Sequence, residues 1–495
     1  MKARSRFIPF TACFITLAVA LSIFIGQGLG QELHTGAGPA SPDEDFPLYL
    51  PMATKPLNNI FGYVTDSGLP AAGVLLDLWH DDGATPAVLM TIATDTNGHY
   101  RFLDVPPLGP GESYWVRYEN EVNPARLYEW YTRELTSFPD GSSVNIGNFD
   151  IANVVYTAPS PRTKIVLPFN FQWTPRPATP TDSYQFEIFD YLDLNPTFST
   201  APLGYTGSYN LSSLPAGFQY CNLYVWAIAL HSPDGGSGYS YWAYTLTLHQ
   251  SALAGIHGCV TENGVPVSGV EVDLSRWTGS DVEYRGTATT SNGYYSFTGQ
   301  PGLEGGQGYW VDYWNPSNPN RLSQAWTRSL TSYDVGSTAF LGDFDIKNIP
   351  LTLPVNNVIT GLPTTFQWDD RPNSLWDDYE FDLYDPDDGN PSFWTDPTLG
   401  YEDHYTLAAL PAGFSPGVWY AWEVWVYDMW DGGGISYETR NVSFSSLGMS
   451  VSPGEAPEHA RIDTQRLRNR QRSPLRQQYP RGMLNAGITR YPGQR

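Results

Sequence analysis

The sequence predicts an all-β chain: four tandem β-sandwiches in a duplicated two-domain unit, followed by a disordered basic tail. Three observations predict it. First, the chain repeats itself at an offset of about 195 residues. Phe149-Asp150-Ile151 returns as Phe344-Asp345-Ile346, and Phe171-Gln172-Trp173 as Phe366-Gln367-Trp368. Tyr114-Trp115-Val116 returns as Tyr309-Trp310-Val311, and Leu214-Pro215-Ala216-Gly217-Phe218 as Leu410-Pro411-Ala412-Gly413-Phe414. A long internal repeat defines the domain plan before any other signal. Second, aromatic residues reach 15%, charged residues only 16%, and Gly and Pro each exceed 8%. That composition suits short strands joined by many turns. Third, apolar residues alternate with polar ones. Val270, Val272 and Leu274 share one face while Glu271 and Asp273 take the other, the period of a half-buried strand.

The elements follow in order. Lys2, Arg4 and Arg6 precede an apolar run from Phe7 to Ile25, then Gly28-Leu29-Gly30 before Gln31. This predicts a secretory signal peptide over 1–30. The run also has the length of a bilayer span, so an uncleaved anchor is the alternative. Either way the body lies outside the cytoplasm. Residues 31–57 are rich in Gly, Pro, Ser and acids and read as a linker.

The first half of each repeat covers 58–153 and 254–348. Ile60-Phe61-Gly62-Tyr63-Val64-Thr65 opens it, matched by Ile256-His257-Gly258-Cys259-Val260-Thr261. Turns at Gly68-Leu69-Pro70 and Gly264-Val265-Pro266 follow, then the alternating strand. Asn97-Gly98 and Asn292-Gly293 carry the strongest hairpin signal, because both residue types tolerate positive φ. Tyr100-Arg101-Phe102 and Tyr295-Ser296-Phe297 come next, then Tyr-Trp-Val and Phe-Asp-Ile. This series resembles the carboxypeptidase regulatory-like domain. The resemblance implies a transthyretin-like β-sandwich with a structural or recognition role and no peptidase activity.

The second half covers 154–250 and 349–447. Phe171-Gln172-Trp173, Tyr184-Gln185-Phe186-Glu187-Ile188, the Leu-Pro-Ala-Gly turn and Tyr224-Val225-Trp226-Ala227-Ile228 all have partners one repeat on. Together they resemble a fibronectin type III-like sandwich, with a buried Trp on an early strand. A sandwich of about 100 residues can bury a core of its own. The tail, 448–495, is rich in Arg, Gln and Pro and is expected to be disordered.

Charge narrows the function. The chain carries −24. Setting aside +6 from the tail and +3 from the first six residues leaves −33 on the body. Such a body repels nucleic acid and anionic lipid. No His-Glu-x-x-His, Gly-x-Ser-x-Gly, phosphate loop or dinucleotide fingerprint occurs. The eight His are scattered, and His80, His99 and His231 read as surface or turn residues. The chain is therefore expected not to be an enzyme. Asp150 and Asp345 read as strand-end hydrogen-bond partners. Cys221 and Cys259 fall near Val418 and Tyr63 in the other copy, so neither belongs to the repeated plan. A single bridge is one reading, and two buried free thiols are the expectation.

Two candidate sites stand out. Asp385, Asp387, Asp388 and Asn390 place hard oxygen donors in one loop, so calcium is the candidate cofactor; an ordinary turn is the alternative. Trp419, Glu423, Trp425 and Tyr427 share the face of a strand opposite Tyr420, Trp422, Val424 and Val426. Such a row can stack on sugars or anchor a protein, or it can pack on the preceding domain. The whole reads as a non-catalytic structural or adhesive protein, secreted or on the cell surface, with an extracellular protein or polysaccharide as partner. The alternative is a carbohydrate-binding module array assisting a separate glycan-degrading enzyme.

Overall fold

The computed structural model describes residues 58–445, except 242–243, 251–252, 316, 372–376, 397 and 429–431. The leader, linker and tail lie outside the described residues. Those described are all-β, in repeated sandwich-like units, with no helix.

Each copy opens with a five-stranded sheet. Its centre in the first copy is Asn59–Asp66, paired antiparallel with Leu69–Pro70 and His99–Leu103. Ser143–Asn145 and Phe149–Asp150 pair with it in parallel. Gly255–Glu262 occupies the same place in the second copy. The Asn-Gly turns form at both sites, and Ser291 and Tyr294 close the second as a tight antiparallel turn with bonds of 2.9 and 3.0 Å, but in neither copy does a ladder between the flanking strands extend from it. Ala87–Ala93 lies in one sheet and His99–Leu103 in another, so the turn carries the chain between sheets. Glycine is required there for room as well as for φ. A Cβ on Gly293 would lie 2.9 Å from the Val260 carbonyl oxygen.

The sandwiches within a copy share a sheet. Ala87–Ala93, Leu75–Asp81, Ser113–Glu119 and Glu129–Tyr131 run edge to edge into Ser237–Tyr239 and Leu223–His231. The seam pairs Tyr131 with Ser237, Trp130 with Gly238 and Glu129 with Tyr239. In the second copy Gln324–Thr327 pairs with Gly432–Ile435. Each result is a ten-stranded sheet, with a separate three-stranded sheet covering the second half of the copy. Glycines let the seam close. A Cβ on Gly238 would sit 2.7 Å from the Trp130 ring, and one on Gly434 would sit 2.9 Å from the Gln324 carbonyl oxygen.

The core follows the shared sheet. Buried apolar side chains form one continuous cluster per copy, not one per sandwich. Trp130 stacks on Phe149 at 5.8 Å and 14°, and the Arg176 guanidinium lies 5.6 Å above Trp130. Arg176 and Arg371 are buried at equivalent positions. Arg176 pairs with Asp182 and donates to the Asp150 and Ala152 carbonyls. Arg371 grips Asp377 with two hydrogen bonds of 2.6 Å and donates to the Asp345 carbonyl at 2.7 Å. Asp150 and Asp345 take the strand-end role read from sequence. Asp150 accepts from Thr65 and the Gly68 amide, both at 2.8 Å, and Asp345 repeats both bonds. Each arginine thus fastens the end of one sandwich to the start of the next.

Removing one partner of a buried, paired charge costs about 3–5 kcal/mol, because the other charge stays buried. Arg371→Met is expected to lower stability by that amount, read from the urea midpoint. Arg371→Met with Asp377→Leu should recover most of the loss; equal destabilisation by the single and double variants would contradict the assignment.

Candidate functional site

The strand Trp419–Asp428 sets the first candidate. Tyr420, Trp422, Val424 and Val426 fill the core. Trp419, Trp425 and Tyr427 are half-buried on the other face, but Glu423 is not presented outward: it is 4% exposed. Its carboxylate accepts from the Trp425 indole at 2.9 Å, Thr439 at 3.1 Å and Tyr384 at 3.2 Å. Those donors use the oxygens a sugar would need. Trp425 meets Trp326 of the preceding sandwich at 5.5 Å and 66°, and Tyr427 lies 6.4 Å from Trp425. The packing alternative therefore describes Trp425. The cause is the seam: Trp425 pairs with Ile435, which pairs with Gln324, so the outer row runs on into the neighbouring sandwich.

The acidic loop folds onto its own backbone. Asp385 accepts from the Asp387 amide at 2.8 Å and Asp388 from the Asn390 amide at 2.7 Å. Asp190 and Asp193 do the same for Leu192 and Asn195, each at 2.8 Å. These are Asx turns, the ordinary use of such residues between strands.

A third cluster was not found as a site by sequence reasoning. Cys221 and Cys259 form a disulfide, which corrects the expectation of two free thiols. It joins the last sandwich of copy one to the first sandwich of copy two. Beside it, His249 is fully buried and Asp343 is largely covered. His249 Nε2 lies 3.2 Å from Asp343 Oδ2 and 3.8 Å from Cys259 Sγ. The Asp343 Oδ1 atom accepts from the Cys259 amide at 3.0 Å. Lys164 Nζ donates to the Leu341 carbonyl at 2.7 Å and stands 3.4 Å from Asp343. The His249 ring meets Phe340 at 4.6 Å. Further out, Arg162 pairs with Asp428 at 3.3 Å. Among the described residues, His249, Cys259 and Asp343 are the His, Cys and acidic residues whose ligand atoms converge within 4.8 Å.

The signal for this cluster lies in departures from the repeat. The true counterpart of Cys221 is Gly417: both amides donate to the same carbonyl of the last strand, Leu248 or Phe444. Gly417 holds φ at 78° and Cys221 at 66°, a conformation that favours glycine. Cys259 replaces Tyr63 and Asp343 replaces Asn148, and the amide-to-side-chain bond is kept in both copies. Lys164 replaces Ile359, since each pairs with the same ladder position. His249 replaces Ser445, the residue after Leu248 or Phe444. Five residues depart from the repeat at one junction, and each adds a bond there.

Burial alone would raise the Asp343 carboxyl. The Lys164 ammonium and His249 outweigh it and hold the group below its ordinary value of 3.8. A carboxyl depressed in the folded state contributes stability fully above its unfolded pKa and loses it as pH falls through the lower folded value.

No protein-family model matches the chain, and no curated protein matches it. Solved structures do. A tetra-tandem repeat from the extending region of a large adhesion protein is 13% identical and covers 79% of this chain and all of its own, with a TM-score of 0.17. A Ca2+-stabilized adhesin from an Antarctic bacterium is 10% identical and covers 79% of this chain and 99% of its own, at 0.16. The major pilin subunit of Bacillus cereus is 13% identical and covers 59% of this chain and all of its own, at 0.17. At these TM-scores the likeness carries no functional argument.

Two outcomes follow from the junction. Reducing the bridge is expected to lower the stability of the joined copies by about 2–4 kcal/mol, the loop-entropy range for a bridge closing 38 residues. A urea midpoint unchanged by reduction would contradict this. Acid should weaken the junction below the ordinary aspartate range, and Asp343→Asn should flatten that part of the stability–pH curve. A curve identical in wild type and variant would remove Asp343 as the cause.

Proposed function

We propose that this chain is a non-catalytic structural and adhesive protein that works outside the cytoplasm, as a semi-rigid spacer presenting β-sheet faces to an extracellular protein or polysaccharide. The observation that carries this reading is the way consecutive sandwiches are joined. Within a copy they share a sheet, a core and a buried Arg–Asp pair. Between copies they share a disulfide, the Lys164–Asp343 pair and the Arg162–Asp428 pair. Each crossing is held by more than one kind of bond, which suits a body that transmits force or holds spacing.

The disulfide supports an oxidising compartment, because cytosolic thiols are kept reduced. The acidic body keeps copies apart in solution. Binding of polysaccharide on the row Trp419, Glu423, Trp425 and Tyr427 is the second reading. Half-buried rings favour it, while Glu423 is already taken by three donors.

Cell fractionation with thiol alkylation tests the main reading. The chain is expected outside the cytoplasmic membrane, with Cys221 and Cys259 resistant to alkylation until reduced. Intact, fully alkylatable chain in the cytosol would overturn it.

A further inference from the structure

The contact that joins the two repeats is made once inside the molecule, yet both of its faces occur twice. The end of the second sandwich covers the outward face of Gly255–Glu262 in the third. His257 and Cys259 are 1% and 0% exposed there. The equivalent face of the first sandwich is open. Tyr63, in the place of Cys259, is 46% exposed, and its ring lies 4.8 Å from that of His99. The equivalent end of the fourth sandwich is open too. Gly417 stands exposed where Cys221 is buried, and Val418 beside it is 40% exposed.

We propose that the end of the fourth sandwich docks on the first sandwich of a second molecule of this chain, by the contact that already joins the repeats within each molecule. Such a contact is heterologous. It uses a different face on each side and leaves one face of each kind free, so molecules add in series.

The residues exchanged at the two open faces suit this pairing. Within the chain, cysteine meets cysteine. Between molecules a large ring, Tyr63, stands opposite a residue without a side chain, Gly417. A Cβ on Gly417 would have nothing within 4 Å, so there is room for the ring. The charges go as well. Lys164 gives way to Ile359 and Asp343 to Asn148. Arg162 gives way to Asn357; both hold φ at 59° and donate their amides to the last strand, at Thr245 and Asn441. These replacements are neutral, so closing the faces strands no charge at those positions. Asn148 and Ser445 take the places of Asp343 and His249. The Asn148 Oδ1 atom accepts from the Tyr63 amide, which leaves the amide NH2 as donor toward the serine oxygen.

Residues 250–254 tether the contact inside the chain. Between molecules there is no tether, so docking is weaker and reversible. The acidic bodies repel one another and salt screens that repulsion, so docking strengthens with added salt. This goes beyond the spacer reading and fails separately from it. A chain that stays single can still be a spacer, and a chain found in the cytosol overturns that reading without touching this one.

Sedimentation velocity of the full chain over a wide concentration range tests the proposal. Mass should rise with concentration past that of two molecules. Tyr63→Asp and Gly417→Arg each spoil one face. Both should fold, because Tyr63 is exposed and Cys221 carries a side chain at the conformation of Gly417. Each variant alone should stay single. Their equimolar mixture should stop at two molecules, since one sound face of each kind remains. As a second measurement, Tyr63→Cys with Gly417→Cys should give a ladder of disulfide-linked multimers on non-reducing gels. Val122→Cys with Gly417→Cys, which pairs Gly417 with a residue 86% exposed elsewhere, should not. A wild type that stays single at every concentration, a wild-type mass that stops at the dimer, a mixture no larger than either variant, or equal ladders from the two cysteine pairs would each overturn the docking.

Discussion

An open strand edge is a row of unpaired amides and carbonyls that must be paired, covered or defended. In this protein the edge of each first sandwich is closed by the edge of the second. Glu129–Tyr131 meets Ser237–Tyr239, and Gln324–Thr327 meets Gly432–Ile435. Much else depends on that seam. It makes one core per copy, and it brings Trp326 against Trp425. Short glycine-rich strands are needed on one side because the backbones and ring faces leave no space for a Cβ.

The buried arginines serve the same end. A charge inside protein is tolerated only when paired and hydrogen-bonded. Arg176 and Arg371 meet that demand with one aspartate from the strand beyond and with backbone carbonyls at the end of the preceding sandwich. The pairing is specific in direction and place. It fixes where the chain leaves one sandwich and enters the next, something that apolar contact alone leaves loose.

The two copies have diverged where they meet. Elsewhere the repeat keeps its core aromatics and its buried arginine pairs, although outward positions such as Ala229 and Trp425 differ too. At the junction a glycine, a tyrosine, an isoleucine, a serine and an asparagine give way to Cys221, Cys259, Lys164, His249 and Asp343. Selection for a shared core preserves a residue in both copies. A contact made between the copies instead requires different residues on each, and that difference is the mark these positions carry.

By itself the sequence determined the repeat, the all-β class, the inward phase of Tyr420, Trp422, Val424 and Val426, and the strand-end role of Asp150 and Asp345. These are local or periodic properties, set by alternation, turn chemistry and duplication. Only the tertiary structure decided which edges pair, that Asn97-Gly98 links two sheets, that Glu423 is enclosed by Tyr384, Thr439 and Trp425, and that Cys221 reaches Cys259. Each of those brings together residues far apart in the chain, or turns a face outward in one sandwich into an interface with the next. Strand periodicity says which side of a strand faces its own core; it carries no information about what a neighbouring sandwich places on the other side.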